Sequence, residues 1–341
     1  MRAFYSPVQA SHNPGFFLVR GMPSSNAEQP ERAQRLLEGL ERVGIAPEEP
    51  ADFGLDPVLA IHDDRYLDFL RVAHAEWVAQ PGDKSAEVVA NIHPSRRPAG
   101  YPTGIVGRAG WHQGDTACPI GADTYRAALA SAHSALAAAA AVAGGDRFAY
   151  GLCRPPGHHA FVDMAGGFCF LNNSAIAAGY LRRTHDRVAV LDVDVHHGNG
   201  TQDIFYDRSD VLTVSIHRDP TDYYPFYWGY DDQIGDGEGQ GHNLNLPLPA
   251  GSADETFLSA LDQARARIED FAPSALVVAL GLDASEHDPL RGLAVTTTGF
   301  VRIGAAIAEL ELPTVLVQEG GYVCDALTDN LAAALSGVLS R

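Results

Sequence analysis

The sequence predicts an open α/β fold: a mostly parallel sheet with helices on both faces, in one domain spanning 1–341. Two observations predict it. Short apolar runs alternate with amphipathic stretches through the second half, the pattern of a parallel sheet with crossover helices. Several of those runs also end on residues able to do chemistry, as happens at the carboxyl edge of an open parallel sheet.

In chain order, 123–142 is a long helix whose small side chains suit close packing on a sheet. A strand at 148–153 follows. The spacing then predicts a helix at 172–183, strands at 187–193 and 211–216, a helix at 256–271 and a strand at 275–282. A helix at 300–309, a strand at 314–318 and a helix at 325–339 complete the series. Two segments break the pattern. Residues 76–122 carry Pro81, Pro94, Pro98, Pro102 and Pro119 and little periodicity; long irregular insertions of this kind are usually functional or mobile. Residues 219–242 are rich in Tyr, Asp and Gly.

The chain has 341 residues, 46% of them hydrophobic, enough for a substantial core. Its 43 acidic and 24 basic side chains give a formal charge of −19. That balance argues against nucleic acid, whose phosphates need clustered Lys and Arg. It is compatible with steering a cationic small molecule and equally with plain solubility. The four cysteines, Cys118, Cys153, Cys169 and Cys324, form no CxxC pair and suggest no disulfide framework. No signal-peptide pattern or membrane span is expected, so the expected compartment is the cytoplasm.

The most informative stretch is Asp192-Val193-Asp194-Val195-His196-His197-Gly198, straight after the apolar run 188–191. Charged groups at the end of a buried strand are costly unless compensated, and a divalent metal is one compensation. Asp194 and His196 lie two apart and leave an extended chain on the same side. Three more segments stand where strands end: Arg154–His159, Gly281–Asp283 and Glu319–Tyr322. Asp283 can supply a third ligand, leaving a position open for water and substrate, as catalytic zinc requires. His158 and His159 suit acid and base work near neutral pH. Tyr322, after two glycines, can donate to an oxyanion. Each also has a plainer reading: Asp283 as a helix cap, the histidines as loop residues held by carbonyls, Tyr322 as a core aromatic. The catalytic reading explains all of them together, as metal-assisted hydrolysis of an amide.

These residues resemble the histone deacetylase superfamily, which has the arginase-like α/β fold. The matching pieces are RPPGHHA (154–160), GGFCFLNN (166–173), LDVDVHHGNGTQDIFY (191–206), VLTVSIH (211–217), LGLDASEHDPL (280–290) and EGGY (319–322). The branch it is most similar to is the bacterial acetylpolyamine amidohydrolases, through the long insertion and HRDPTDYYPFYWGY (217–230).

The resemblance implies one Zn²⁺ per subunit on Asp194, His196 and Asp283. It makes His159 the general base, and His158 its electrostatic or acid partner, oriented by Asp192. Tyr322 becomes the oxyanion donor, and Phe168 and Tyr224 wall the substrate tunnel, with Gly167 and Gly320 beside them. A structural K⁺ is implied on Asp192, Asp194 and Ser215, with the backbone oxygens of His196 and Ile216. The implied substrate is a small acylated amine such as an acetylpolyamine, and the implied assembly is a homodimer through the 76–122 insertion.

The sequence departs from the family twice. Asn199 stands where many protein deacetylases have an aspartate, which should lower the basicity of His159. Acidic residues that meet a polyamine's distal ammonium are replaced near Val106 and Ala117, and Asp115, the nearest carboxylate, either substitutes or binds a substrate backbone. Tyr223, Tyr224, Tyr227 and Trp228 form an aromatic wall suited to a cation or a flat acyl group, or to ordinary loop packing. Alternative functions on the same residues are an acetyl-lysine protein deacetylase, a hydrolase of another small amide, a non-catalytic acyl-ligand binder, and a manganese ureohydrolase.

Overall fold

The computed structural model describes residues 1–95 and 100–340, so positions 96–99 of the predicted insertion lie outside the described residues. The N-terminal part carries strand β1 (Arg2–Phe4), a hairpin of β2 (Phe16–Val19) and β3 (Met22–Ser25), and helices α1 (Pro30–Arg42), α2 (Asp56–Leu59), α3 (Asp64–Val78) and α4 (Ile105–His112). Then come α5 (Thr124–Ala143), β4 (Phe148–Gly151), α6 (Asn173–Leu181), β5 (Val188–Asp192), α7 (Asn199–Phe205), β6 (Val211–Arg218) and β7 (Asn243–Leu248). The chain closes with α8 (Asp254–Phe271), β8 (Ala275–Leu280), α9 (Thr297–Ala308), β9 (Thr314–Gln318) and α10 (Leu327–Leu339).

Seven strands form one parallel sheet in the order β1-β4-β9-β8-β5-β6-β7. The alternation of side chains along each strand divides the core in two. In β5, Val188 and Val190 face the layer that holds α5 and α6, while Ala189 and Leu191 face the layer of α8, α9 and α10. In β8, Ala275 and Val277 join the first layer, and Leu276 and Val278 the second. Both faces being covered explains why these strands read as continuous apolar runs. Truncating one such residue, Leu191→Ala, costs about 2–5 kcal/mol by lost transfer and cavity terms.

Among the described residues α5 is the one helix long and apolar enough to cross a membrane. Here it is a core helix. Alanine leaves its backbone able to approach the sheet, and a Cβ on Gly151 would lie 3.1 Å from the Ala135 backbone. Helix starts follow local capping: the Asn172 side chain accepts from Ala175 N–H, and Thr296 from Gly299 N–H.

The predicted strand at 314–318 is β9 as observed, and the other predicted elements shift by one to three residues at their ends. The insertion is less irregular than its sequence suggests. It contains α4, whose Gly107 and Gly110 are poor helix formers. Gly110 is needed because a Cβ there would collide with the Ile92 carbonyl. Packing against α3 and the 88–93 segment stabilises a helix that propensity alone does not. All four cysteines are free thiols, with Cys118, Cys153 and Cys169 buried.

Candidate active site

Four neighbouring strands, β4, β9, β8 and β5, deliver their carboxyl ends to one rim, as expected for a ligand site on an open parallel sheet. The loop after β5 brings Asp194 and His196, and the loop after β8 brings Asp283. Ligand atoms of these three buried side chains all lie within 4.8 Å of one another. His196 Nδ1 sits 3.1 Å from Asp194 Oδ1 and 3.2 Å from Asp283 Oδ2. Asp194 Oδ2 accepts from Gly320 N–H at 2.8 Å, and Asp283 Oδ1 from Val195 N–H at 3.0 Å. Asp283 Oδ2 has no aligned donor although it is buried.

Two buried carboxylates beside each other are unfavourable unless a cation lies between them. Burial, and then the charge of Asp194, push the Asp283 carboxyl up from its usual range. Burial opposes charge on His196, but Asp194 and Asp283 raise it to about 9. A proton on Nδ1 and a divalent ion therefore compete for the same donors. Two carboxylate oxygens, one of them the orphaned Asp283 Oδ2, and one imidazole nitrogen fit a tetrahedral metal with an open position.

The loop after β4 brings the histidine pair, with ring centroids 4.0 Å apart. Their environments drive them in opposite directions. His158 Nδ1 meets Asp192 Oδ2 at 2.9 Å. Burial works against its charge, but Asp194 and Asp192 raise it to about 10. His159 Nδ1 meets Asn199 Oδ1 at 2.7 Å, so Nδ1 carries the hydrogen and Nε2 keeps its lone pair. Burial, and then the charges of His158 and His196, hold His159 well below the usual histidine value. The surroundings favour charge on the first ring and disfavour it on the second.

His159, His196 and Tyr322 line one cleft of about 500 Å³ with Gly167, Phe168, Tyr223, Tyr224, Leu290 and Asp115. Burial pushes the Tyr322 phenol well up, so it stays a proton donor. Phe168 lies edge-on to Tyr322 with centroids 5.8 Å apart, and Tyr224 edge-on to His159 at 4.8 Å. Gly167 must be glycine: its φ is +51°, and a Cβ would strike the His159 ring. Gly320 does not line the cleft; it lies behind the carboxylates, where a Cβ would meet both Asp283 and Asp194. Asp115 faces the cleft with its acceptors engaged: Oδ1 takes Ala117 N–H at 2.8 Å, and Oδ2 takes Gly167 N–H at 3.0 Å and the Tyr224 hydroxyl at 2.7 Å. Asp192 and Ser215 are register partners across β5 and β6, with Ile216 next along the strand.

The model of the histone deacetylase domain matches residues 26–338. The chain belongs to the histone deacetylase family. It is 50% identical over 337 residues to an acetylpolyamine amidohydrolase of Burkholderia pseudomallei, covering 99% of this chain and 98% of that one. It is 43% identical over 342 residues to acetylpolyamine amidohydrolase 1 of Pseudomonas aeruginosa, with 99% and 98% covered. The crystal structure of the Burkholderia pseudomallei acetylpolyamine aminohydrolase superposes with a TM-score of 0.96, covering 99% of this chain and 98% of that one. The HDA15 HD domain, at 24% identity and TM-score 0.78 with 99% and 87% covered, shares the fold. The seven-stranded parallel sheet flanked by helices is the deacetylase fold of this family.

Several residues that build this family site carry no role in the sequence reading. Glu319, buried, takes Gly157 N–H at 2.6 Å and His158 N–H at 3.0 Å on one oxygen and the Ser174 hydroxyl at 2.7 Å on the other. It ties the histidine loop to the tyrosine loop. Arg32 donates to the Glu319 and Gly321 carbonyls, both at 2.6 Å, and lies 4.9 Å from the Tyr322 ring centroid. Asp288 accepts from Tyr322 N–H at 2.9 Å and Leu290 N–H at 2.8 Å. Glu319 and Asp288 stand inside the motifs EGGY and LGLDASEHDPL, which is the signal that could have found them. Phe17, Leu18, Val19 and Arg20 line the cleft from the hairpin, and no motif marks them.

Proposed function

We propose that this protein is a zinc-dependent amidohydrolase that removes the acyl group of a small N-acylated amine. The observation that carries this reading is one cleft lined by His196 of the carboxylate–imidazole triad, the free Nε2 face of neutral His159, and the Tyr322 phenol. Asp194, His196 and Asp283 would hold the ion, which supplies Lewis acidity for the scissile carbonyl and makes water more acidic. His159 Nε2 takes the proton of the attacking water. His158, as imidazolium, stabilises the negative charge that develops beside it. Tyr322 donates its hydroxyl hydrogen to the oxyanion. The water oxygen bonds to the carbonyl carbon, the C–N bond breaks, and the proton passes to the leaving nitrogen, releasing acetate and free amine. Asp192 orients the His158 imidazolium, and Asn199 holds neutral His159 in the tautomer that leaves Nε2 free.

The names of the full-length relatives make acetylated polyamines the first substrates to test. Phe168 and Tyr224 would wall an aliphatic chain. Asp115, engaged by three donors, serves to fix Gly167 and Tyr224 and is poorly placed to take a distal ammonium as well. The β5–β6 register, with Asp192 opposite Ser215, supports a structural K⁺ that also uses Asp194 and the backbone oxygens of His196 and Ile216. Exposed Ile92 and Val106 on the insertion support its docking on a second copy as a homodimer. A two-metal ureohydrolase is disfavoured. Among the described residues the second candidate ligand group is His158, Cys169 and Glu319, and the Glu319 oxygens are taken by Gly157, His158 and Ser174.

The test is a hydrolysis panel of acetylputrescine, acetylspermidine, an acetyl-lysine peptide and longer acyl amides. The small amines should be cleaved fastest. A preference for the peptide by tenfold or more overturns the substrate class, and no hydrolysis by zinc-loaded protein overturns the activity.

A further inference from the structure

A metal-ligating imidazole usually has its second nitrogen fixed by a carboxylate or carbonyl, which sets the ring plane. His196 lacks this device. Its Nδ1 faces Asp194 and Asp283, and among the described residues its Nε2 makes no hydrogen bond. Something else must hold the ring.

Tyr223 lies flat against it. The two rings are 5.0 Å apart between centroids and within 6° of parallel, the one stacked ring pair among the described residues at this site. The Tyr223 hydroxyl donates to the Leu290 carbonyl at 3.2 Å. The Arg218 guanidinium covers the same tyrosine at 4.2 Å from its centroid, and is itself held by Asp222 at 3.1 Å. Gly292 leaves room for this arrangement: a Cβ there would sit 2.9 Å from the Tyr223 hydroxyl oxygen and would strike Val195. The stack connects to the oxyanion donor as well, because Leu290 N–H and Tyr322 N–H share the Asp288 carboxylate.

We propose that Tyr223 is a positioning residue for the metal centre: stacked on His196, anchored at Leu290 and packed against Arg218, it sets the imidazole plane and thereby the affinity of the triad for zinc. This rests on the reading of the triad as a metal site. A supporting aromatic of this kind acts on the ion before it acts on substrate, so its effect is read in metal binding.

The experiment measures zinc affinity of the full-length protein by competition with a coloured chelator. Tyr223→Phe keeps the ring and loses the anchor; Tyr223→Leu loses the ring. The phenylalanine variant should stay within about threefold of the parent. The leucine variant should bind zinc about tenfold or more weakly, the range for residues that orient a ligand, with an unchanged melting temperature of the metal-free form. Cobalt-loaded leucine variant should show altered visible bands, and cobalt-loaded phenylalanine variant parent-like bands. Parental zinc affinity in Tyr223→Leu overturns the proposal. Should that variant not fold, Arg218→Met replaces it: a severalfold loss of zinc affinity supports the stack, and none overturns it. Because the readout is zinc and not turnover, a protein that binds zinc tightly but hydrolyses nothing would sink the activity and leave this proposal standing.

Discussion

His159 Nδ1 lies 2.7 Å from the Asn199 side-chain oxygen, a neutral partner, while His158 Nδ1 lies 2.9 Å from the carboxylate of Asp192. Adjacent imidazoles thus receive different partners, which favour the charged form of His158 and the neutral form of His159. Asn199→Asp should undo part of that division. A carboxylate at Nδ1 favours the imidazolium, so the pKa of His159 rises. The base form is then populated only at higher pH. The acid limb of the kcat/KM profile should move up by about one unit; a limb that stays in place means His159 is not the base.

Tyr322→Phe removes a phenol hydroxyl from the cleft that His159 also lines and leaves the ring packed on Phe168. Turnover should fall by about 10²-fold or more, the usual cost of an oxyanion donor, with KM little changed. Parental kcat on the best substrate would remove Tyr322 from the mechanism.

Asp115→Ala releases Gly167 N–H and the Tyr224 hydroxyl together. Each freed buried group costs about 1–3 kcal/mol. Both tunnel walls should loosen, and kcat/KM should drop tenfold or more for every substrate in the panel. A loss confined to polyamine substrates would instead give Asp115 a direct role at the ammonium.

Stability should fall on mild acidification. His12, His62 and His217 are buried and neutral, and burial lowers each to about 4. The unfolded chain has ordinary histidines near 6.5, so between 6.5 and 4 it binds more protons than the folded one. The stability contributed by these three histidines is then full above 6.5 and declines as pH drops toward 4, against the opposing contribution of the Glu319 and Asp288 carboxyls, each raised to about 7. His62 shows why: its Nε2 accepts from Asn172 N–H at 2.9 Å and cannot do so when protonated. Melting curves from pH 7.5 to 5 should shift downward, and His62→Gln should shift less. A flat profile contradicts the assignment of neutral buried histidines.

The five inner strands β4, β9, β8, β5 and β6 were legible because strands covered on both faces are short continuous apolar runs, and because glycine, charge and imidazole mark where they stop; the edge strands β1 and β7 were not read. The triad was legible for the same reason: Asp194, His196 and Asp283 are chemically costly at strand ends. What was not legible depends on tertiary packing. Helix α4 forms despite two glycines, because its neighbours need the space those glycines leave. The hairpin that lines the cleft with Phe17 to Arg20 has no periodicity to announce its place. Glu319, Asp288 and Arg32 act on backbone groups far away in sequence, and although the two acids stand inside motifs, spacing does not tell a bonded carboxylate from an exposed one. Asp115 was located, but its engagement by Gly167 and Tyr224 could not be read before the loops were seen together.

The most direct test is a zinc titration of metal-free protein with bound metal and acetylputrescine hydrolysis followed in parallel, for the parent and for Asp283→Ala. The parent should gain activity linearly to one equivalent per chain and then plateau, while the alanine variant should neither retain the ion nor hydrolyse. Full turnover by metal-free protein, or by the Asp283→Ala variant without zinc, contradicts the account.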